Sequence, residues 1–345
     1  MTNKKRGNNT FVTKSARRIS PEYVDHVAGL VNPFADSAKG SKIHDENSGN
    51  TFSYQVRSIT PVLVNEFGSG YTEFYPSLHE YVSGIGPASA NMSAGGVLGT
   101  AAAFSLQDVP DFTSLTTVGM RYRIVSWGVR LISTTDALSA KGRVLVRELD
   151  SYQAYASTPG QNVTVLSDNY ANLPHTHDMD FTIIPNHVSD KYKQFQGFSV
   201  SYYDMNSDPA NDPPFRAVGL TLTGFTGTGV LDTQTEALQA EVVYNIEVLP
   251  LVASIGMRLA TDPAPHHTAT LEAVHNTRAA APLAHKSTSL WSKIKNIAGR
   301  AISTAGNFAL DRLTGGLATY IKQKTPMISY IPNMSRGGLP LLTNG

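Results

Sequence analysis

The chain has 345 residues, 16% of them charged, with 28 Gly, 19 Pro, no Cys and a formal net charge of +1. That length holds one large sandwich with extensions or two ordinary domains, and the glycine and proline content fits many short strands and turns rather than a helical bundle. The missing cysteine excludes a disulfide framework and any cysteine-ligated zinc. No apolar run approaches the ~20 residues of a membrane-spanning helix, and the polar, basic start lacks the apolar core of a secretory signal, so a soluble, non-secreted protein is expected.

The small net charge hides an uneven distribution. Residues 1–18 hold Lys4, Lys5, Arg6, Lys14, Arg17 and Arg18 and no acid, a charge of +6. Residues 285–345 hold eight Lys and Arg against Asp311 alone, +7, while 19–284 hold fourteen basic against twenty-six acidic residues, −12. Two cationic ends flank an acidic body.

Residues 1–50 are rich in Asn, Lys, Ser and Gly and read as a basic, largely disordered arm, apart from PEYVDHVAGLVNPF, which can form a helical turn or two. An arm of this kind neutralises nucleic-acid phosphates without reading bases. The competing reading is a solvated tail. From 51 to 250 the pattern changes to strands. TFSYQVRSITPVLVNEF and YTEFYPSLHEYVSG open the series, and Pro110 stands where a short helix over 110–120 would begin. The stretch 122–149 is the clearest signal: Val125, Trp127, Val129 and Leu131 share one face at period two, and a Ser/Thr/Asp loop ending at Gly142 leads to the strand RVLVREL, a hairpin-like pair. DFTIIPNH, FQGFSVSYYD, FRAVGLTLTGFT and QAEVVYNIEVLP follow as four more strands, giving eight in all. The fold class expected is all-β, an eight-stranded antiparallel jelly-roll sandwich.

The Tyr-Arg start, aromatic-bearing strand, Thr/Ser-rich loop and Gly-initiated strand of 122–149 resemble the second and third body strands of capsid proteins from small non-enveloped RNA viruses of the noda-like and tombus-like type. YNIEVLP is similar to their last body strand. The resemblance covers roughly 120–260. It implies a homo-oligomeric icosahedral shell, assembled in the host cytoplasm and found in the virion, with genomic RNA packaged through Lys4, Lys5, Arg6, Lys14, Arg17 and Arg18. Related capsids place carboxylates at subunit contacts that bind calcium, which implicates Asp108 and Asp111 in QDVPDF, with further oxygens from a neighbouring subunit. Nodaviruses cut themselves at an Asn-Ala bond; here Asn276, Asn296 and Asn307 precede Thr277, Ile297 and Phe308, so that maturation site is not supported.

Beyond the sandwich, 251–285 reads as a Pro-rich extension with a short helix starting near Thr268. Residues 286–345 read as a basic amphipathic helix and tail. Ser287, Thr288 and Ser289 offer N-caps, and Leu290, Ile294, Ile297, Ala301, Ala305 and Phe308 recur near period 3.6 until Gly315 and Gly316, ~38 Å if straight. Lys293 and Lys295 lie off that stripe and Trp291 sits at one end. This suits a membrane-active interfacial helix acting transiently on a host membrane, and equally a helix packed beneath the shell or facing RNA.

No phosphate-binding Gly-x4-Gly-Lys-Ser/Thr and no Gly-x-Ser-x-Gly elbow is present, and Gly224, Gly227 and Gly229 open no helix. His175, His177 and Asp178, or His266 with His267, offer metal-ligand types, with exposed loop histidines the plainer reading. No catalytic residue is assigned and no cofactor is required. The alternatives to a coat protein are a carbohydrate-binding β-sandwich and a jelly-roll enzyme. Two cationic ends around an acidic body have no evident use in a lectin, and a cupin-type enzyme needs a His/Glu set on its strands.

Overall fold

Period-two alternation builds the strands. In β1 (Phe52–Asn65) Val56, Ser58, Thr60, Val62 and Val64 are buried, while Arg57, Ile59 and Pro61 are exposed. Pro61 is tolerated because β1 is an edge strand. The computed structural model describes residues 26, 29–30, 32–45, 49–83, 106–149, 170–186, 193–200, 215–230, 233–252, 254–262 and 283–286. After β1 come β2 (Gly70–Phe74), β3 (Val82–Ser83), α1 (Phe112–Val118), β4 (Gly119–Ser133) and β5 (Arg143–Leu149). Then follow β6 (Tyr170–Pro174), β7 (Asp180–Ile183), β8 (Gln196–Gly197), β9 (Ala217–Thr223), β10 (Gln234–Pro250), α2 (Gly256–Leu259) and β11 (Ala284–Lys286).

One sheet runs β1-β10-β4-β7-β11, with β8 also on β4; the other runs β3-β2-β9-β5-β6. All pairs are antiparallel. Setting aside the short β3, β8 and β11, four strands face four, and the first strand lies beside the last in a jelly-roll-like sandwich. Trp127, Val129, Tyr244, Phe74, Val146 and Leu220 belong to the single core between the sheets.

Three expectations change. First, β4 and β5 are not a hairpin. β4 pairs with β10, β7 and β8, whereas β5 pairs with β9 and β6. The connection 134–142 is long enough to cross between facing sheets, which stand ~10 Å apart. They are the third and fourth strands of the eight. Second, the inward face of β4 is not one uninterrupted alternation. Asn245 pairs Ser126 and Ile246 pairs Ile124, so Val125 is the extra residue of a β-bulge. The bulge shifts the phase and brings Tyr122 and Ile124 onto the face of Trp127, Val129 and Leu131. Third, FQGFSVSYYD contributes only the two-residue β8 among the described residues. β6 (YANLP) was missed because a short edge strand ending in Pro has little local signature.

The outer face of the first sheet is also covered. Residues 32–45, within the stretch expected to be a mostly disordered arm, lie across it. Asn245 Nδ2 donates to the Pro33 carbonyl and to Ser126 Oγ, each at 2.9 Å, and Ile43 is fully buried. The helix expected over 110–120 is α1, Phe112–Val118, two residues inside those limits at each end. The helices expected near Thr268 and from Ser287 lie outside the described residues, as does most of the 1–50 arm.

Candidate assembly surface

The outer face of the first sheet carries a charge network that adjacent strands bring into register. Arg123 on β4 pairs with Glu247 on β10. The guanidinium bonds Glu247 at 2.7 Å and Asp45 at 2.6 Å, and donates to the Lys193 carbonyl at 2.8 Å. All three charged side chains are buried. Glu247 also accepts from the Ile43 N–H and the Thr51 hydroxyl, so one buried carboxylate ties residues 43 and 51 to the sheet. Further along, Arg130 meets Asp180 at 2.6 Å and Glu241 at 3.7 Å, and Arg57 meets Glu241 at 3.2 Å. The hydrogen bond from Arg130 to Asp180 is the main cause of its raised pKa. These pairs hold the arm and the sheet edge together, and they leave the sheet's acids largely answered by its own arginines.

A second surface lies at the end of the sandwich where β1 and β4 begin and β10 finishes. There the chain leaves Pro250 and folds back in a tight turn: the Leu251 N–H and the Ser254 hydroxyl both donate to the Val118 carbonyl, at 2.9 and 3.0 Å. The turn fixes Val252, Ile255 and Leu259 in exposed positions, Val252 at 89%. Beside it, Phe52, Tyr54, Leu115, Val118 and Leu259 line a groove of about 480 Å³. Lys42 closes one wall, its ammonium donating to the carbonyls of Thr51, Thr261 and Asp262 and to the Thr261 hydroxyl. The sequence alone does not single this surface out. Its trace in the sequence is the spacing of Val252, Ile255 and Leu259, three and four apart.

Asp108 and Asp111 are close in sequence but serve different local partners. Asp108 Oδ1 meets the His79 ring at 2.7 Å and accepts from the Glu80 N–H at 2.8 Å, where Glu80 holds a positive φ of 54°. Asp111 Oδ2 accepts from the Tyr54 hydroxyl at 3.1 Å and lines the groove. Burial and this bond hold the Tyr54 phenol above its ordinary pKa. Among the described residues no group of three or more His, Asp or Glu is placed to hold a metal.

His175 is not an exposed loop histidine. It is 4% exposed; Nδ1 faces the Lys141 carbonyl and Nε2 faces Ser133 Oγ, each at 3.0 Å, and the ring stacks on Phe225. It ties the end of β4 to the start of β5 and so pins the crossover between the sheets, while His177 and Asp178 stay exposed. Gly227 lies against the 66–68 turn, where a Cβ would stand 2.1 Å from the Glu66 carbonyl oxygen, so close backbone packing accounts for it. Lys4, Lys5, Arg6, Lys14, Arg17 and Arg18, the helix residues Trp291, Lys293, Ile294, Lys295, Ile297 and Phe308, and His266 and His267 lie outside the described residues.

No known protein family matches the chain, and no curated protein does. Among solved structures it is similar to that of the infectious bursal disease virus Gx strain, with 8% identity and a TM-score of 0.47 over 78% of this chain and 98% of that one. It is similar to the infectious bursal disease virus VP2 subviral particle, with 10% identity and a TM-score of 0.41 over 77% and 98%. It is also similar to mud crab tombus-like virus, with 12% identity and a TM-score of 0.35 over 61% and 95%.

Proposed function

We propose that the chain is the coat subunit of a small non-enveloped RNA virus, of the noda-like and tombus-like kind that 122–149 resembles, and that it assembles into a closed icosahedral shell. The observation that carries this reading is the charge layout on a jelly-roll-like sandwich: +6 over residues 1–18, before β1, and +7 over 285–345, where Lys286 ends β11 and the other charges follow it, against −12 between them. On this reading the cationic ends neutralise packaged RNA, because Lys and Arg displace counterions from phosphates without sequence preference. The helix from Ser287 faces inward until host-cell penetration, then lies in the host membrane through its apolar stripe. The subunit is made in the host cytoplasm and resides in the virion.

The test is negative-stain microscopy of purified full-length chain beside a variant lacking residues 1–18, with nucleic-acid content read from the absorbance ratio. Regular particles that hold RNA are expected from the full chain. The variant should keep its fold and lose RNA or change particle size. A monodisperse monomer that binds glycans and no RNA would replace the coat reading with the lectin-like one.

A further inference from the structure

We infer that the exposed turn of residues 251–252 and 254–259 and the groove beside it form one self-complementary contact, in which the turn of each copy of this chain seats in the groove of a second copy. The inference rests on the coat reading for its setting and on the geometry for its content.

Val252, Ile255 and Leu259 are 89%, 62% and 60% exposed on a turn fixed by two hydrogen bonds to the Val118 carbonyl, so the apolar side chains are presented in a set shape. With Met257 they put four exposed large apolar side chains within eight residues of chain, and exposed apolar surface of this kind marks an interaction site. The groove offers room for them: about 480 Å³ in volume, it is lined by Phe52, Tyr54, Leu115 and Val118 together with the polar Lys42, Asp111 and Ser114. Leu259 belongs to both, standing on the turn and lining the groove, and Val118 lines the groove and anchors the turn. A projection and its matching cavity side by side on one surface allow a two-fold pair in which each copy fills the other, as an isologous contact requires. Charge follows the same match, since exposed Arg258 rides on the turn and Asp111 is the carboxylate of the groove, where the Lys42 ammonium is already engaged by the oxygens of Thr51, Thr261 and Asp262. A concavity lined by both apolar and polar side chains fits side chains of a protein better than the flat face of a bilayer.

Because the chain has no cysteine, single cysteines report the contact without background. Chain carrying Val252→Cys is mixed with chain carrying Ser114→Cys, Ser114 being exposed at the groove, and a short bis-maleimide is added. Cross-linked pairs are expected well above those from Val252→Cys mixed with Leu138→Cys, whose site is fully exposed on the 134–142 connection at the far end of β4. Equal yields overturn the inference. In sedimentation, Arg258→Glu and Asp111→Arg should each weaken association by about tenfold, worth ~1.4 kcal/mol, and the double variant should restore it. Failure of restoration with both single variants folded overturns the charge match. Cross-linked pairs without closed particles leave the contact standing and remove the coat reading. Particles that form with no cross-link above the control do the reverse.

Discussion

Arg123 and Glu247 face each other across β4 and β10 with the guanidinium 2.7 Å from the carboxylate, and the two side chains are 1% and 0% exposed. Removing the cation leaves the Glu247 and Asp45 carboxylates buried without it. Arg123→Met is therefore expected to cost ~3–5 kcal/mol, the usual consequence of breaking a buried pair from one side. Denaturant midpoints measure it, and a loss below ~1 kcal/mol would mean that water reaches the cluster.

Trp127 stacks on Tyr244 at 5.6 Å in the centre of the core, and its indole N–H has no hydrogen-bond partner. Trp127→Ala should cost ~3–5 kcal/mol. Trp127→Phe should cost clearly less, because only volume is lost. Equal melting temperatures for the Phe and Ala variants would show that the indole is held by something other than packing.

At Gly128 a Cβ would stand 2.8 Å from Pro33 Cγ and 2.9 Å from the Ile183 carbonyl oxygen. Backbone cannot yield as a flexible side chain does. Gly128→Ala is expected to destabilise by ~1–3 kcal/mol and to loosen residues 32–34 first, seen as faster amide exchange there than in β9. Unchanged exchange at 34 with a stable fold would place that segment elsewhere in solution.

Tyr71, Tyr122 and Tyr244 are fully buried, and desolvation raises all three phenols above the ordinary 10.0. A folded-state value above the unfolded one means that their contribution is complete below pH 10.0 and is lost as pH climbs beyond it. Alkaline titration followed by tyrosinate absorbance should show these phenols ionising together with loss of the fold. Smooth ionisation of every tyrosine in a still-folded chain would contradict their burial.

A peptide covering residues 287–324 should gain helix on anionic vesicles and release their contents, because lipid supplies the apolar partner that water lacks. Ile294→Asp with Phe308→Asp should abolish leakage. In whole particles the same pair should spare assembly and RNA while removing infectivity. Failure to form particles would make the stripe a packing surface of the shell.

The sequence alone determined most of the strands, though not β6, because alternation is a local property: Val56, Val62, Trp127 and Val129 declare their faces within a few neighbours. It also determined the charge layout and the position of α1. Which sheet each strand joins was decided by the tertiary structure. β4 and β5 are adjacent in sequence yet lie in different sheets, since β4 completes its hydrogen bonds with β10 and β5 with β9. The groove and the Arg123 cluster had the same origin. Arg123 lies 124 residues from Glu247 and 78 from Asp45, and a charge whose counter-charge is that distant carries no periodic signature in its own strand. Even the single extra residue at Val125, which resets the inward face, takes its meaning from the uninterrupted strand opposite. Period-two patterning fixes what a strand can bury, while pairing across the fold fixes what it buries against.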